Sequence, residues 1–303
     1  MPSLESQAIE VIYHRFQKFL GGRDVDIDLH RLLMEELSSL AAEPTDVTYK
    51  EVKCPGTARP AIWCSPLSAS SSHMILYMHG GGFMAGSPSS HRKMVAHLAK
   101  RVGSQALIVD YRRAPEHQFP KQIDDMVAAY RWLMEEKGFS SNHVAFAGDS
   151  AGGNLTVSVA LAAKKLGLEV PAAIAAFSPW IDMRMSGDSW QTNANKDVAV
   201  VLEAMQGVVK TYLGDAPLDE PLVDLLHADL KGLPPMFLTV GGVEVLQDDS
   251  TLLAKHAKSA GVEVQLEVVE GMHHVWVFMA GNAPEAEAAL SQAADFIHNK
   301  IRN

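Results

Sequence analysis

The chain has 303 residues, 47% hydrophobic and 20% charged, which is ample apolar material for a folded core. Its 26 Lys+Arg against 36 Asp+Glu leave a formal charge of −10 at pH 7, the wrong sign for a nucleic-acid or anionic-membrane surface. Cys54 and Cys64 are the only thiols, so a disulfide framework or CxxC centre is excluded, and the alternatives are one bridge or two reduced thiols in a cytoplasmic protein.

Near the N-terminus, Glu5, Glu10, His14, Arg15 and Lys18 interrupt the apolar residues, so the unbroken apolar region of a secretory signal is missing. Apolar stretches such as 74–78 are too short to span a bilayer. Ile9, Ile12, Phe16 and Phe19 recur at helical spacing and predict a helix over 4–20. Leu29, Leu32, Leu33 and Leu37 predict a second over 28–41. Strand-like segments follow at 46–53 and 59–64. Short apolar runs at 73–78, 105–111, 143–148, 172–178, 236–241 and 262–269 then alternate with helical patterns at 90–102, 121–137, 151–166, 248–260 and 284–300. That alternation predicts βαβ units and a mostly parallel sheet. Residues 183–232 break the rhythm, with no strand-like run and with Met183, Met185, Trp190, Met205 and Tyr212. They read as a helical insertion packed with the N-terminal helices over one end of the sheet, the plainer alternative being a long crossover.

Gly148-Asp149-Ser150-Ala151-Gly152 fits G-x-S-x-G between a predicted strand and a predicted helix. In such a nucleophile elbow a sharp turn lifts the serine hydroxyl above the sheet, and the flanking glycines relieve the crowding. His79-Gly80-Gly81-Gly82-Phe83 follows the strand at 73–78, and its glycines can turn backbone N–H groups toward an oxyanion. A phosphate-binding loop is the weaker reading, because Pro88 lies just beyond, no Lys-Ser/Thr follows and the next helix starts late, near Ser89–Ser90. His79 is expected to brace the loop.

A base for Ser150 is expected after the last strand, where Met272-His273-His274 lies, and only one of two adjacent histidines can face the serine. A metal reading of the pair lacks HExxH or a third ligand. The acid is expected after the strand at 236–241, in Gly241-Gly242-Val243-Glu244-Val245-Leu246-Gln247-Asp248-Asp249. Asp248 and Asp249 sit where carboxylates cap a helix, which leaves Glu244 to hold the imidazole.

With oxyanion loop, serine, acid and histidine in this order, the sequence resembles the hormone-sensitive lipase family of α/β-hydrolase esterases. The motifs are His-Gly-Gly-Gly at 79–82 and Gly-Asp-Ser-Ala-Gly-Gly at 148–153, with Asp110–Glu116 and Ser178-Pro179-Trp180 also family-like. The likeness runs from about residue 45 to the end. It implies an α/β-hydrolase fold, an eight-stranded mostly parallel sheet with helices on both faces and a helical cap. The cap would comprise residues 1–45 and 183–232, over a catalytic core of 46–182 and 233–303. Matching the family's histidine loop selects His274, and matching its acid loop puts Glu244 where the family carries aspartate. Gly81, Gly82 and Ala151 would supply the oxyanion-hole N–H groups. The expected protein is a serine carboxylester hydrolase for small esters of short to medium acyl chain, needing no cofactor or metal. Lactone or amide hydrolysis and a silent binding protein on the same fold are the alternatives, and a homodimer is left open.

Overall fold

The computed structural model describes residues 2–20, 26–57 and 59–301, so the few remaining positions of the predicted segments lie outside the described residues. Its centre is one eight-stranded sheet: β1 (Val47–Val52), β2 (Ala61–Pro66), β3 (Met74–Met78), β4 (Gln105–Ile108), β5 (Val144–Asp149), β6 (Ala173–Phe177), β7 (Met236–Gly241) and β8 (Val264–Val269). The spatial order is β1-β2-β4-β3-β5-β6-β7-β8. Only the β1–β2 and β2–β4 pairings are antiparallel. The other five are parallel, as the alternation of runs predicts.

Each central strand is buried on both faces, which is why its sequence reads as a continuous apolar run. Along β3, Met74, Leu76 and Met78 enter one core, while Ile75 and Tyr77 enter the other. This is the two-residue side-chain period of a strand serving two layers. The first core takes α4 (Lys121–Glu135), α5 (Ala151–Lys165) and α8 (Gln247–Ser259). The second takes α3 (Pro88–Val102) and α9 (Pro284–Ile301).

Three boundaries differ from the sequence expectations. The segment at 105–111 is a strand only to Ile108, whose partner Ile62 lies next to the first residue of β2, so the pairing runs out. The segment at 28–41 divides into α2 (Ile27–Glu35) and a 3₁₀ turn over Glu36–Ser39. Helix α3 begins at Pro88 and not at Ser89–Ser90. Ser87 caps it by accepting the N–H groups of Ser89 and Ser90, and Pro88 takes a first-turn position that needs no N–H. Both cysteines are free and buried, and burial pushes each thiol up to about 12.

The N-terminal helix α1 (Leu4–Leu20) buries Ile9, Tyr13 and Phe16 in the second core. In the stretch 183–232 the helices are the single turn α6 (Ser189–Thr192) and α7 (Leu202–Leu213), and Trp190, Tyr212 and Leu213 join the first core. The order reversal around β3 puts the loops after β3, β5, β7 and β8 at the strands' carboxyl ends, where open α/β sheets gather their ligands.

Candidate active site

Ser150 links β5 to α5 with φ +52° and ψ −121°, a conformation non-glycine residues rarely adopt. Hydrogen bonds hold it there: its N–H donates to Phe177 O at 2.9 Å, and its carbonyl accepts from Trp180 N–H at 3.0 Å. Space explains the glycines. A Cβ at Gly148 would collide with the Gly152 carbonyl, and one at Gly152 with the Met78 carbonyl. The serine retains 9% exposure, while its neighbours Asp149 and Ala151 have 1% or less.

His274 Nε2 lies 3.0 Å from Ser150 Oγ, and His274 Nδ1 lies 2.7 Å from Glu244 Oε2. Sequence positions 150, 244 and 274 thus form one hydrogen-bonded row. Glu244 is fully buried, and its other oxygen accepts from Gly241 N–H and from the Ser178 hydroxyl, both at 2.6 Å. These two bonds occupy Oε1 and leave Oε2 to face the imidazole. Burial works to lower the His274 pKa, but the hydrogen bond and charge of Glu244, with Asp197 and Asp149, outweigh it and leave it raised. His273 faces elsewhere, bonding to Glu10 at 2.8 Å.

After β3, Gly81 has φ +111° and a Cβ there would collide with the Ala85 carbonyl, so only glycine fits this turn. Among the described residues neither the Gly81 nor the Gly82 N–H donates a hydrogen bond. Ala151 opens α5, where an N–H has no helical acceptor. Asp149 anchors the loop by accepting from Gly80 N–H at 3.1 Å and Tyr77 OH at 2.8 Å. His79 braces it through Nδ1–H to Gly80 O, stacked on Tyr111, and burial holds its pKa well below the ordinary imidazole range. The Asp110–Glu116 stretch adds struts: Tyr111 OH donates to His79 O, and Arg112 pairs with Asp125.

Asp248 and Asp249 do not cap their own helix, whose N-terminus has no side-chain cap. Asp249 instead accepts from Ile181 and Asp182 N–H, and Asp248 from Ser189 N–H. Burial pushes Asp249 well above the usual carboxylate range.

Two contributors had no assigned role in the sequence. Ser178 donates to Glu244 and accepts from Val275 N–H, joining the acid and histidine loops. Its only signal was the Ser-Pro-Trp stretch. Tyr13 donates to the His274 carbonyl at 2.7 Å, and nothing in its helical pattern marks it. Among the described residues no group of three or more His, Cys, Asp or Glu is arranged to hold a metal ion, and no helix is long and apolar enough to cross a membrane.

This sheet, with a strained serine at an elbow beside a histidine and a buried carboxylate, defines a hydrolase class. Residues 75–278 match the family model of the alpha/beta hydrolase fold. An acetyl-hydrolase of Streptomyces hygroscopicus is 37% identical over 237 residues, 78% of this chain and 79% of that one. An esterase of Acinetobacter venetianus is 32% identical over 267 residues, 88% and 87% of the two chains. The solved structure of an esterase from the bacterial hormone-sensitive lipase family superposes with a TM-score of 0.93 at 37% identity, covering 99% of both chains. The chain belongs to the α/β-hydrolase superfamily and, within it, to the hormone-sensitive lipase family.

Proposed function

We propose that this carboxylic ester hydrolase works through Ser150 as nucleophile, His274 as base and Glu244 as the acid that orients it. The observation that carries the reading is the row Ser150 Oγ, His274 Nε2, His274 Nδ1 and Glu244 Oε2, with links of 3.0 and 2.7 Å. Ser150 Oγ attacks the ester carbonyl carbon while its proton passes to His274 Nε2. The resulting oxyanion takes hydrogen bonds from the N–H groups of Gly81, Gly82 and Ala151, and each such donor is typically worth about 10²–10³ in rate. Collapse breaks the bond to the alcohol oxygen, which leaves with the proton from Nε2. A water then attacks the acyl carbon, giving its proton to Nε2, and Ser150 recovers that proton as the acid departs. Glu244 holds and stabilises the imidazolium.

Residues 1–45 and 183–232 form the cap in this reading. Val208 of α7 supports it, lying where it would touch a Cβ on Gly82 at 3.3 Å and so standing over the glycine loop. A covered site favours short to medium acyl chains, and the two buried free thiols fit a cytoplasmic setting. A p-nitrophenyl ester series from acetate to palmitate tests both function and pocket. Turnover should peak at or below medium chains and vanish in Ser150→Ala. Equal turnover by Ser150→Ala, or a preference for palmitate, would refute the reading.

A further inference from the structure

The insertion between β6 and β7 grips the loop that carries Glu244. The peptide unit joining Glu244 to Val245 has both polar atoms held by side chains from that insertion. Asn193 Nδ2 donates to the Glu244 carbonyl at 2.8 Å, and Asp197 Oδ2 accepts from the Val245 N–H at 2.9 Å. The residues are 4% and 6% exposed, so water competes little for either bond.

Local structure aims both side chains. Lys196 Nζ donates to Asn193 Oδ1 at 2.9 Å, which fixes the amide orientation and points Nδ2 at the loop. Asp197 Oδ1 accepts from the N–H groups of Ala199 and Val200, tying its own turn, and this leaves Oδ2 for Val245. A peptide unit held at both ends resists displacement, so the two bonds fix the backbone from which the Glu244 side chain reaches His274. Glu244 has one more rotatable bond than aspartate would have, so it gains more from a fixed backbone.

We infer that Asn193 and Asp197 are positioning residues for the triad, an inference that rests on Glu244 being its acid: Asn193 acts by geometry alone, and Asp197 by geometry and by its negative charge. The charged or titratable groups facing His274 are Glu244 from the loop after β7, Asp149 from β5, Asp197 from the insertion and the Tyr13 phenol from α1. The three carboxylates all favour the protonated imidazole. Among the described residues the Asp197 carboxylate bonds to backbone N–H groups and to no cation.

The test compares kcat, KM and the pH profile of p-nitrophenyl butyrate hydrolysis in Asn193→Ala, Asp197→Asn and Glu244→Gln, with thermal unfolding as the check on folding. Asp197→Asn keeps the shape, but its amide cannot satisfy Val245 and the 199–200 turn together. It should lose about tenfold or more in kcat, the worth of one charge-assisted hydrogen bond, at little change in KM. The acid limb of its kcat/KM profile should move to lower pH. Asn193→Ala, which leaves all three carboxylate charges in place, should lower kcat with a smaller move of the limb than Asp197→Asn, a split that general loosening would not produce. If both variants fold and match wild type in kcat and limb position while Glu244→Gln is crippled, the inference is wrong and the triad stands. If Glu244→Gln is itself fully active, both fall. Should Asp197→Asn not fold, Asn193→Ala decides, and wild-type kcat in that variant overturns the positioning role.

Discussion

At the scale of single residues, the proposed role of His274 as base makes its protonation the switch for activity. Its folded pKa is raised, so the neutral base is lost as pH falls through a value above the ordinary 6.5. kcat/KM for a p-nitrophenyl ester should therefore decline toward acid with a midpoint above 6.5, and a midpoint at or below it would contradict the arrangement. In the proposed triad Glu244 stabilises the imidazolium by charge and holds it by geometry. Glu244→Gln keeps the shape but removes the charge, and should lower kcat by about 10²–10⁴. Glu244→Gln within threefold of wild type, measured on folded protein, would show that another group carries the charge.

At the scale of elements, the elbow is built from absences of side chain. Gly152 lies against the Met78 carbonyl at the end of β3, so helix α5 can meet the strand only where no Cβ intervenes. Gly152→Ala should force β3 and α5 apart, costing about 3 kcal/mol or more and most of the activity. Gly207, exposed in the middle of α7, has nothing within 4 Å of an added Cβ and carries no positive φ. Gly207→Ala should instead stabilise the protein by about 0.5–1 kcal/mol, since helix glycine costs entropy, and leave kcat unchanged. Chemical denaturation of the two variants checks the pair, and the same sign for both would defeat the argument.

At the scale of the whole molecule, the site is held from three distant parts of the chain. Helix α1 reaches the histidine loop through Tyr13, the insertion reaches the acid loop through Asn193 and Asp197, and Ser178 after β6 spans both loops. Tyr13→Phe retains the ring in the second core but leaves the His274 carbonyl without its donor. It should cost about 1–2 kcal/mol of stability and lower kcat several-fold at constant KM. Wild-type kcat would show that the histidine loop holds itself without the Tyr13 hydrogen bond.

Much of this architecture was legible in the sequence because the signals are local. Strands buried on both faces must be continuous apolar runs, and the elbow must be glycine-flanked, so 73–78 and 148–152 announce themselves. Glu244 and His274 were legible as the positions left in their loops once Asp248 and Asp249 were read as caps and the family's histidine loop was matched. The two aspartates nevertheless do not cap their own helix. They serve backbone N–H groups of residues 181, 182 and 189, far from them in sequence, and no local pattern could show this. Ser178, Tyr13, Asn193 and Asp197 were invisible as parts of the site for the same reason. Tyr13, Asn193 and Asp197 act through hydrogen bonds to backbone atoms of other segments, which leave no trace in the identity of a residue, and Ser178 ties the Glu244 carboxylate to the Val275 N–H, two loops that only the fold brings together. Sequence alone determined the fold class, the order of the chemistry and the three side chains brought together. Tertiary structure decided what holds those three in register, because that depends on which distant peptide groups the fold delivers to each carboxylate, amide and hydroxyl.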